Sequence, residues 1–520
     1  MPDQSEVTTV DYILAHDLGT SGNKASLYDR QGKLVASAFA GYETYYPQPG
    51  WVEQDPEAWW EAVVGTTREL LAKAKVKPTE VACVTFSGQM MGCLPVDVDA
   101  RPLYRSLIWA DQRGIEEARK LETELGLEFV YRTTGHRVSP TYSAAKMAWL
   151  KHNAPQVYAE AYKFLHAKDF IISRLTGAWV TDYSDACGMN LFDLTRRTWS
   201  PEILKATGID PGKLPEPHPS TEVAGKVTAT AAQATGLAAG TPVVIGGGDG
   251  SCAAAGAGVV REGAAYNYIG SSSWIGLATR EPIFDAQMRT FNWIHLDPEM
   301  YSPTGTMQAA GGSYAWMRDA LCQAEAEAAA KLGLSAYDLM NLEAGKVPPG
   351  ADNLIYLPYL LGERSPHWNP YARGTFIGLT PSHRRAHLIR AVLEGVSMNL
   401  RIILEVFRAH VPIEAMRVIG GGAKGTLWRQ ILASLFQMPV HRLEFLDEAT
   451  SLGAALAGGV GIGLFPDFLL AEELNPVRET AQPNPSLAGR YDRLFAVFQQ
   501  AYTALIPVFG ELATLSGSDD

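Results

Sequence analysis

Asp17-Leu18-Gly19-Thr20-Ser21-Gly22-Asn23-Lys24 stands between two largely apolar runs, Tyr12-Ile13-Leu14-Ala15-His16 before it and Ala25-Ser26-Leu27-Tyr28 after it. The runs read as strands and the centre as a glycine-turned hairpin. In the other half of the chain the pattern returns as Ala264-Ala265-Tyr266-Asn267-Tyr268-Ile269, then Gly270-Ser271-Ser272-Ser273, then Trp274-Ile275-Gly276-Leu277-Ala278. Both tips set glycine beside hydroxyl residues, and only the first adds a carboxylate and a lysine. Glycine lets backbone approach a ligand closely, and successive N–H groups with Ser/Thr hydroxyls form an anion-binding concavity. Two such loops predict duplicated α/β domains that hold one polyphosphate between them.

Outward from the hairpins, 520 residues are too many for one core and predict roughly two to four domains. Apolar residues at 47% and charged ones at 19% are ordinary for a compact soluble protein. A net charge of −12 argues against nucleic acid or an anionic membrane as main partner, but a local pocket can still be electropositive. Cys83, Cys93, Cys187, Cys252 and Cys322 are odd in number, scattered and without a CxxC pair, a reduced cytoplasmic pattern. Met1-Pro2-Asp3-Gln4-Ser5-Glu6 has no basic start or apolar run, so no signal peptide is expected, and no stretch has transmembrane character.

Along the chain, Asp29-Arg30-Gln31-Gly32-Lys33 reads as a second hairpin, and 56–75 as a helix opened by Asp55 with Pro56 at its first position. Val81 to Phe86 reads as a strand that ends in the loop Ser87-Gly88-Gln89-Met90-Met91-Gly92; 114–170 is mainly helical and proline-rich 211–219 a connector. The second half repeats the order of hairpin, long helices, strand, glycine turn and helix. The last dozen residues are expected to fray.

Asp17, where a strand enters a glycine turn, has two readings. It is a hard oxygen ligand for Mg²⁺, or it accepts its own loop's N–H groups. Thr20, Ser21 and Lys24 beside it favour the first, with Lys24 meeting phosphate as a point charge. Asp249 is the sharper case. Pro242-Val243-Val244-Ile245 is a buried strand running into Gly246-Gly247-Gly248-Asp249-Gly250-Ser251, with a small-residue helix to follow. A carboxylate at a strand's C-terminal edge stands where α/β active sites gather. Phosphoryl transfer to an alcohol needs a base there and close backbone approach. Helix capping would explain the aspartate but not the glycines.

Met416-Arg417-Val418-Ile419 followed by Gly420-x-Gly422-x-x-Gly425 matches the dinucleotide fingerprint, and Glu444 lies at the usual interval. A nicotinamide-dependent oxidoreductase is therefore a remote alternative, although a glycine turn also suits a flat purine. No P-loop and no nucleophile elbow occur. His383 and His387, spaced i,i+4, lack a third ligand and read as a solvated helix face; Trp59, Trp60 and Trp149 read as core.

Together these segments resemble the FGGY family of carbohydrate kinases, of the actin/hexokinase superfamily. Asp17 to Lys24 is similar to the first phosphate motif, Gly246 to Ser251 to the loop with the catalytic aspartate, Gly270-Ser271-Ser272 to the second phosphate motif and Gly420 to Thr426 to the adenosine motif. Gly374 to Leu379, His387-Leu388 and Ala391 to Glu394 fit the C-terminal pattern. Within the family, Gly50 to Pro56, Trp59-Trp60, Leu361 to His367 and Trp428-Arg429-Gln430 resemble xylulose kinases. Met91, where these usually place a histidine, and Gly250, where they have asparagine, depart from that pattern and imply a roomier, less polar sugar pocket.

The resemblance implies an α/β fold of two RNase-H-like domains, 1–258 and 259–520, flanking a catalytic cleft. It implies ATP and Mg²⁺, with Asp17 on the metal and Asp249 as the base. It places ATP at Gly19, Thr20, Ser21, Lys24, Gly270, Ser271, Gly311, Gly421, Gly422, Ala423 and Thr426. The sugar would meet Gln89, Met90, Met91, Trp109, Asp111, Asp249 and Gly250. The acceptor would be a pentulose, D-xylulose in the first instance, or another pentulose, a polyol or an aldonic acid. It also leaves room for a homodimer.

Overall fold

The structure, a computed structural model, describes residues 11–516. The N-terminal segment Met1–Glu6 and residues 517–520 lie outside the described residues. Two seven-stranded sheets carry the chain. The first is built from β1 (Tyr12–Leu18), β2 (Gly22–Tyr28), β3 (Leu34–Gly41), β4 (Val81–Gly88), β5 (Val223–Lys226), β6 (Pro242–Val244) and the short β7 (Gly247–Gly248). The second is built from β8 (Ala265–Ile269), β9 (Ser273–Leu277), β10 (Phe291–Ile294), β11 (Tyr301–Met307), β12 (Met416–Ile419), β13 (Val440–Leu443) and β14 (Val477–Ala481).

The strand order in the first sheet is β5-β6-β4-β1-β2-β3, with β7 also on β4; in the second it is β10-β11-β9-β8-β12-β13-β14. The two share one plan. A hairpin (β1–β2, β8–β9) takes a third antiparallel strand on one side, while its first strand pairs in parallel with a later one, β4 or β12. The next strand, β6 or β13, continues the parallel set, and an antiparallel strand follows it. Each hairpin therefore turns at the C-terminal end of a parallel pair, where loops gather over an α/β sheet.

The helices are α1 (Pro56–Ala74), α2 (Asp249–Gly256), α3 (Gly311–Leu321), α4 (Thr426–Phe436), α5 (Ala449–Gly461) and several further ones, of which Ala488–Ser516 is the last. Asp55 caps α1 by accepting from the Glu57 N–H at 3.0 Å, as its sequence predicts. The C-terminal segment departs from expectation, since residues 509–516 continue the last helix. The connector 211–219 departs too: Glu216–His218 pairs in parallel with Val180–Asp182. Of the two histidines expected on one helix face, only His387 is helical; His383 lies in the preceding turn and accepts the Thr380 N–H. Trp59 is buried as expected. Among the described residues no helix is long and apolar enough to cross a membrane.

Helix α5 comes late in the chain yet lies on the first sheet. Ser451 Oγ is 2.8 Å from the Tyr28 hydroxyl, and Thr85 Oγ1 of β4 donates to the Ala454 carbonyl at 3.2 Å. It also crosses α2 with backbone against backbone. A Cβ on Gly256 would sit 1.8 Å from the Ala449 carbonyl oxygen, and one on Gly453 would sit 1.9 Å from that of Cys252. Gly453→Ala is expected to force the helices apart and lower unfolding free energy by about 1–3 kcal/mol. Urea denaturation reads it, and an unchanged midpoint would show that the crossing yields freely.

Candidate active site

Asp17 is the penultimate residue of β1, opposite Ser87 of β4 and Lys24 of β2. Burial pushes its carboxyl above the usual range, while the Ser87 hydroxyl and the Lys24 charge pull it back. At the hairpin tip the Gly19 N–H donates to the Gly22 carbonyl at 3.1 Å. Thr20 is fastened on two sides: its carbonyl accepts from Gln54 Nε2 at 2.7 Å and its hydroxyl from Trp109 Nε1 at 2.9 Å.

Asp249 is the first residue of α2, with Gly248 as the cap, so capping is not its role. Its Oδ1 accepts the Gly250 N–H at 2.7 Å. Desolvation first, and then the Asp17 charge, push its carboxyl up to about 7. The glycines around it have separate causes. A Cβ on Gly246, which has φ +70°, would lie 1.8 Å from the Phe86 carbonyl oxygen. A Cβ on Gly247 would meet Leu296 at 2.3 Å, and one on Gly248 would meet Met90 at 2.5 Å. Gly250 alone has nothing within 4 Å. Tyr266 of β8 closes the loop from the second sheet, its hydroxyl donating to the Gly250 carbonyl at 3.0 Å.

The Asp17 charge raises the proton affinity of Asp249, and hard oxygen donors of this kind suit Mg²⁺. Asp17 and Asp249 therefore fit a divalent cation.

A cavity of about 620 Å³ opens under the second hairpin. Gly270, Ser271, Gly311, Gly421 and Gly422 line it, as the sequence motifs anticipate, and so do Tyr314, Asn341 and Trp428. The glycine turn after β12 thus shares one cavity with the second hairpin tip. Ala423 and Thr426 stand back from it. Ala423 is buried with its carbonyl accepting from Arg429 at 2.6 Å, and Thr426 is exposed at the start of α4.

On the sugar side the expected residues divide. Met91, with φ +61°, is half-buried, and Gln89 Nε2 donates to Gln54 Oε1 at 2.8 Å while its own Oε1 has no partner among the described residues. Trp109 is 36% exposed, the open member of the group. Asp111 and Met90 lie deeper. Asp111 is fully enclosed, accepting from Arg113 and from the Val52 N–H at 2.7 Å, so it braces the wall behind Trp109. Met90 is buried beneath Gly248 and forms the floor of the base loop. Lys24 is also placed differently: its ammonium donates to the Asp447 carbonyl at 3.0 Å and lies 3.5 Å from Glu448, tying the first hairpin to the start of α5.

Lys146 was missed by sequence reasoning. Fully buried, it donates to the carbonyls of Met91, Ile108 and Thr141 at 2.7, 2.7 and 2.6 Å, and burial pulls its ammonium down to about 7. No local pattern marks a lysine whose partners are three backbone oxygens.

Residues 12–256 match the N-terminal domain of the FGGY family of carbohydrate kinases, and residues 265–462 match its C-terminal domain. Over 503 residues the chain is 31% identical to a gluconokinase of Bacillus subtilis, covering 95% of this chain and 97% of that one. Over 496 residues it is 31% identical to a xylulose kinase of the same organism, again covering 95% and 97%. Ligand-bound xylulose kinase from Lactobacillus acidophilus matches with a TM-score of 0.90 at 28% identity, over 96% of this chain and 100% of that one.

A base that titrates near neutrality loses activity when protonated. The rate constant kcat/KM for the acceptor is expected to fall as pH drops through about 7. Asp17→Asn should move that acid limb to lower pH, because it removes the like charge beside Asp249. A pH–rate profile with the same limb in both forms would separate the two carboxyls.

Proposed function

This chain belongs to the FGGY family of carbohydrate kinases, and from that premise we propose that it transfers the γ-phosphate of ATP to a hydroxyl of a pentulose, D-xylulose in the first instance. The observation that carries the reading is Asp249. It is a carboxyl held near neutral proton affinity at the first turn of a helix, beside a second carboxyl and an open Gly250. Asp249 takes the hydroxyl proton as the acceptor oxygen bonds to the γ-phosphorus and the bond to the ADP oxygen breaks. Asp17 would hold Mg²⁺, directly or through water; bound Mg²⁺ neutralises charge on the phosphates. The tips at Thr20, Ser21, Gly270 and Ser271 offer N–H and hydroxyl donors to the transferring group. The cavity at Gly421-Gly422 and Trp428 suits a flat purine, which leaves the glycine fingerprint without need of a nicotinamide. The five cysteines are all buried and unpaired, in keeping with a reducing cytoplasm.

A second reading, an aldonate acceptor, draws on two half-buried arginines, one from each half of the chain. The Arg364 guanidinium bears on the Tyr142 hydroxyl, and Arg137 lies 5.0 Å over the Trp368 ring; neither is ion-paired with a carboxylate among the described residues. Glu122 acts on Arg137 and Arg364 acts on Glu363; Tyr142, Trp368 and Met91 belong to one apolar cluster, so both guanidiniums border the wall that holds Met91.

Asp249→Asn keeps size and hydrogen bonding but removes the base, and kcat should fall by about 10²–10⁴ with ATP binding nearly unchanged. Retention of most turnover would end the assignment.

Coupled ADP release from D-xylulose, related pentuloses and gluconate tests the acceptor. D-xylulose should be phosphorylated with modest selectivity, and Met91→His with Gly250→Asn should lower its KM by restoring polar contacts. Turnover of gluconate alone, with a KM raised by Arg364→Met, would transfer the conclusion to the aldonate.

A further inference from the structure

Behind the base loop runs a line of buried polar groups that the phosphoryl-transfer chemistry does not use. The Gly248 N–H, one residue ahead of Asp249, donates to Ser184 Oγ at 2.9 Å. Ser184 in turn donates to Asp182 Oδ2, which also accepts from Ser220 Oγ at 3.0 Å. Lys168 Nζ joins three carboxylates, Asp169 at 2.6 Å, Asp182 at 2.9 Å and Asp185 at 3.1 Å. Asp185 then meets His166 Nδ1 at 3.0 Å, and His166 Nε2 lies 3.0 Å from Ser143 Oγ. Ser143 ends the line by donating to the Gly92 carbonyl at 2.6 Å. Lys168, His166, the three aspartates, Ser143 and Ser184 are all fully buried.

His166, Asp169 and Asp185 have the spacing of a metal cluster. The Lys168 ammonium already stands among them, so the cation is supplied by the chain itself. Filling this volume with ions is a poor way to gain stability, since desolvating a charge costs several kcal/mol and apolar residues of equal volume often serve as well or better. What such a network does supply is a fixed geometry: hydrogen bonds hold its two ends, and close ion-pair contacts among Lys168, Asp182, Asp185 and His166 join them in a low dielectric. Its two ends are informative: one grips the loop that carries Asp249, the other the loop that carries Gln89 to Met91.

We propose that the buried line from Gly248 through Ser184, Asp182, Lys168, Asp185, His166 and Ser143 to Gly92 is a positioning device that holds the catalytic carboxylate and the sugar loop in register. Its members are positioning residues, since all are buried behind the loops they join. The inference rests on Asp249 being the base, which Asp249→Asn tests separately.

The experiment is a double-mutant cycle on the two end hydroxyls, Ser184→Ala and Ser143→Ala, which leave the ions paired. Loss of a buried partner is expected to cut kcat/KM for the acceptor about 10-fold in each, with KM for ATP within about twofold of the parent. Because the ends act through one line, the double variant should lose less than the product of the two single losses. Hydrogen–deuterium exchange at 246–250 should rise in Ser143→Ala, although that substitution lies at the far end; this readout stands even if Ser184→Ala fails to fold. Single losses that multiply, together with unchanged exchange at 246–250, would overturn the proposal. A loss of affinity for ATP equal to that for the acceptor would do the same.

Discussion

Where α2 crosses α5, peptide backbone lies directly on peptide backbone, and the missing side chains of Gly256 and Gly453 are what permit it. One helix begins with Asp249; the other rests on β1 and β4, the strands that carry Asp17 and Ser87. The distance between the two carboxyls and the second half of the chain is therefore set by a contact too close to be adjusted by rotamers. Packed interiors transmit strain, so a single methyl at this crossing reaches the base.

Charge is managed around that contact in two ways. In the cleft, Asp17 and Asp249 are left to repel each other, which raises Asp249 into the range where a base is useful. Behind the cleft the carboxylates share cations instead: Lys168 stands among three of them and Arg113 meets both Asp111 and Glu53.

Much of the architecture was legible in the chain. The two hairpins, Asp55 at the start of α1 and the strand before Asp249 follow from patterns that span only a few residues, because turn chemistry and strand alternation are local. The repeat of one strand plan in both sheets was foreshadowed by the repeat of glycine with hydroxyl at the two tips. Residues whose roles depend on distant partners were less readable. Asp111, which the family resemblance placed at the sugar, is held by the Val52 N–H from far along the chain as well as by Arg113. Ala423 and Thr426 belong to the right motif, but the tight turn at Gly421–Lys424 buries Ala423, and Thr426 stands exposed at the start of α4.

The sequence by itself determined the family of fold, the two glycine-turned hairpins and the glycine turn that lines the cavity, since each is a short run whose backbone demands select its residues. Only the tertiary structure decided why three of the glycines around Asp249 are required and the fourth is free. It alone brought Tyr314 and Trp428 to the cavity, Lys146 to the carbonyl of Met91, and Ser184 and Ser143 to opposite ends of one buried line. Those relations join residues far apart in the chain, and their partners are backbone atoms as often as side chains. Nothing in the local pattern of residue types encodes such a contact; it exists once the sheets have stacked and water has been excluded.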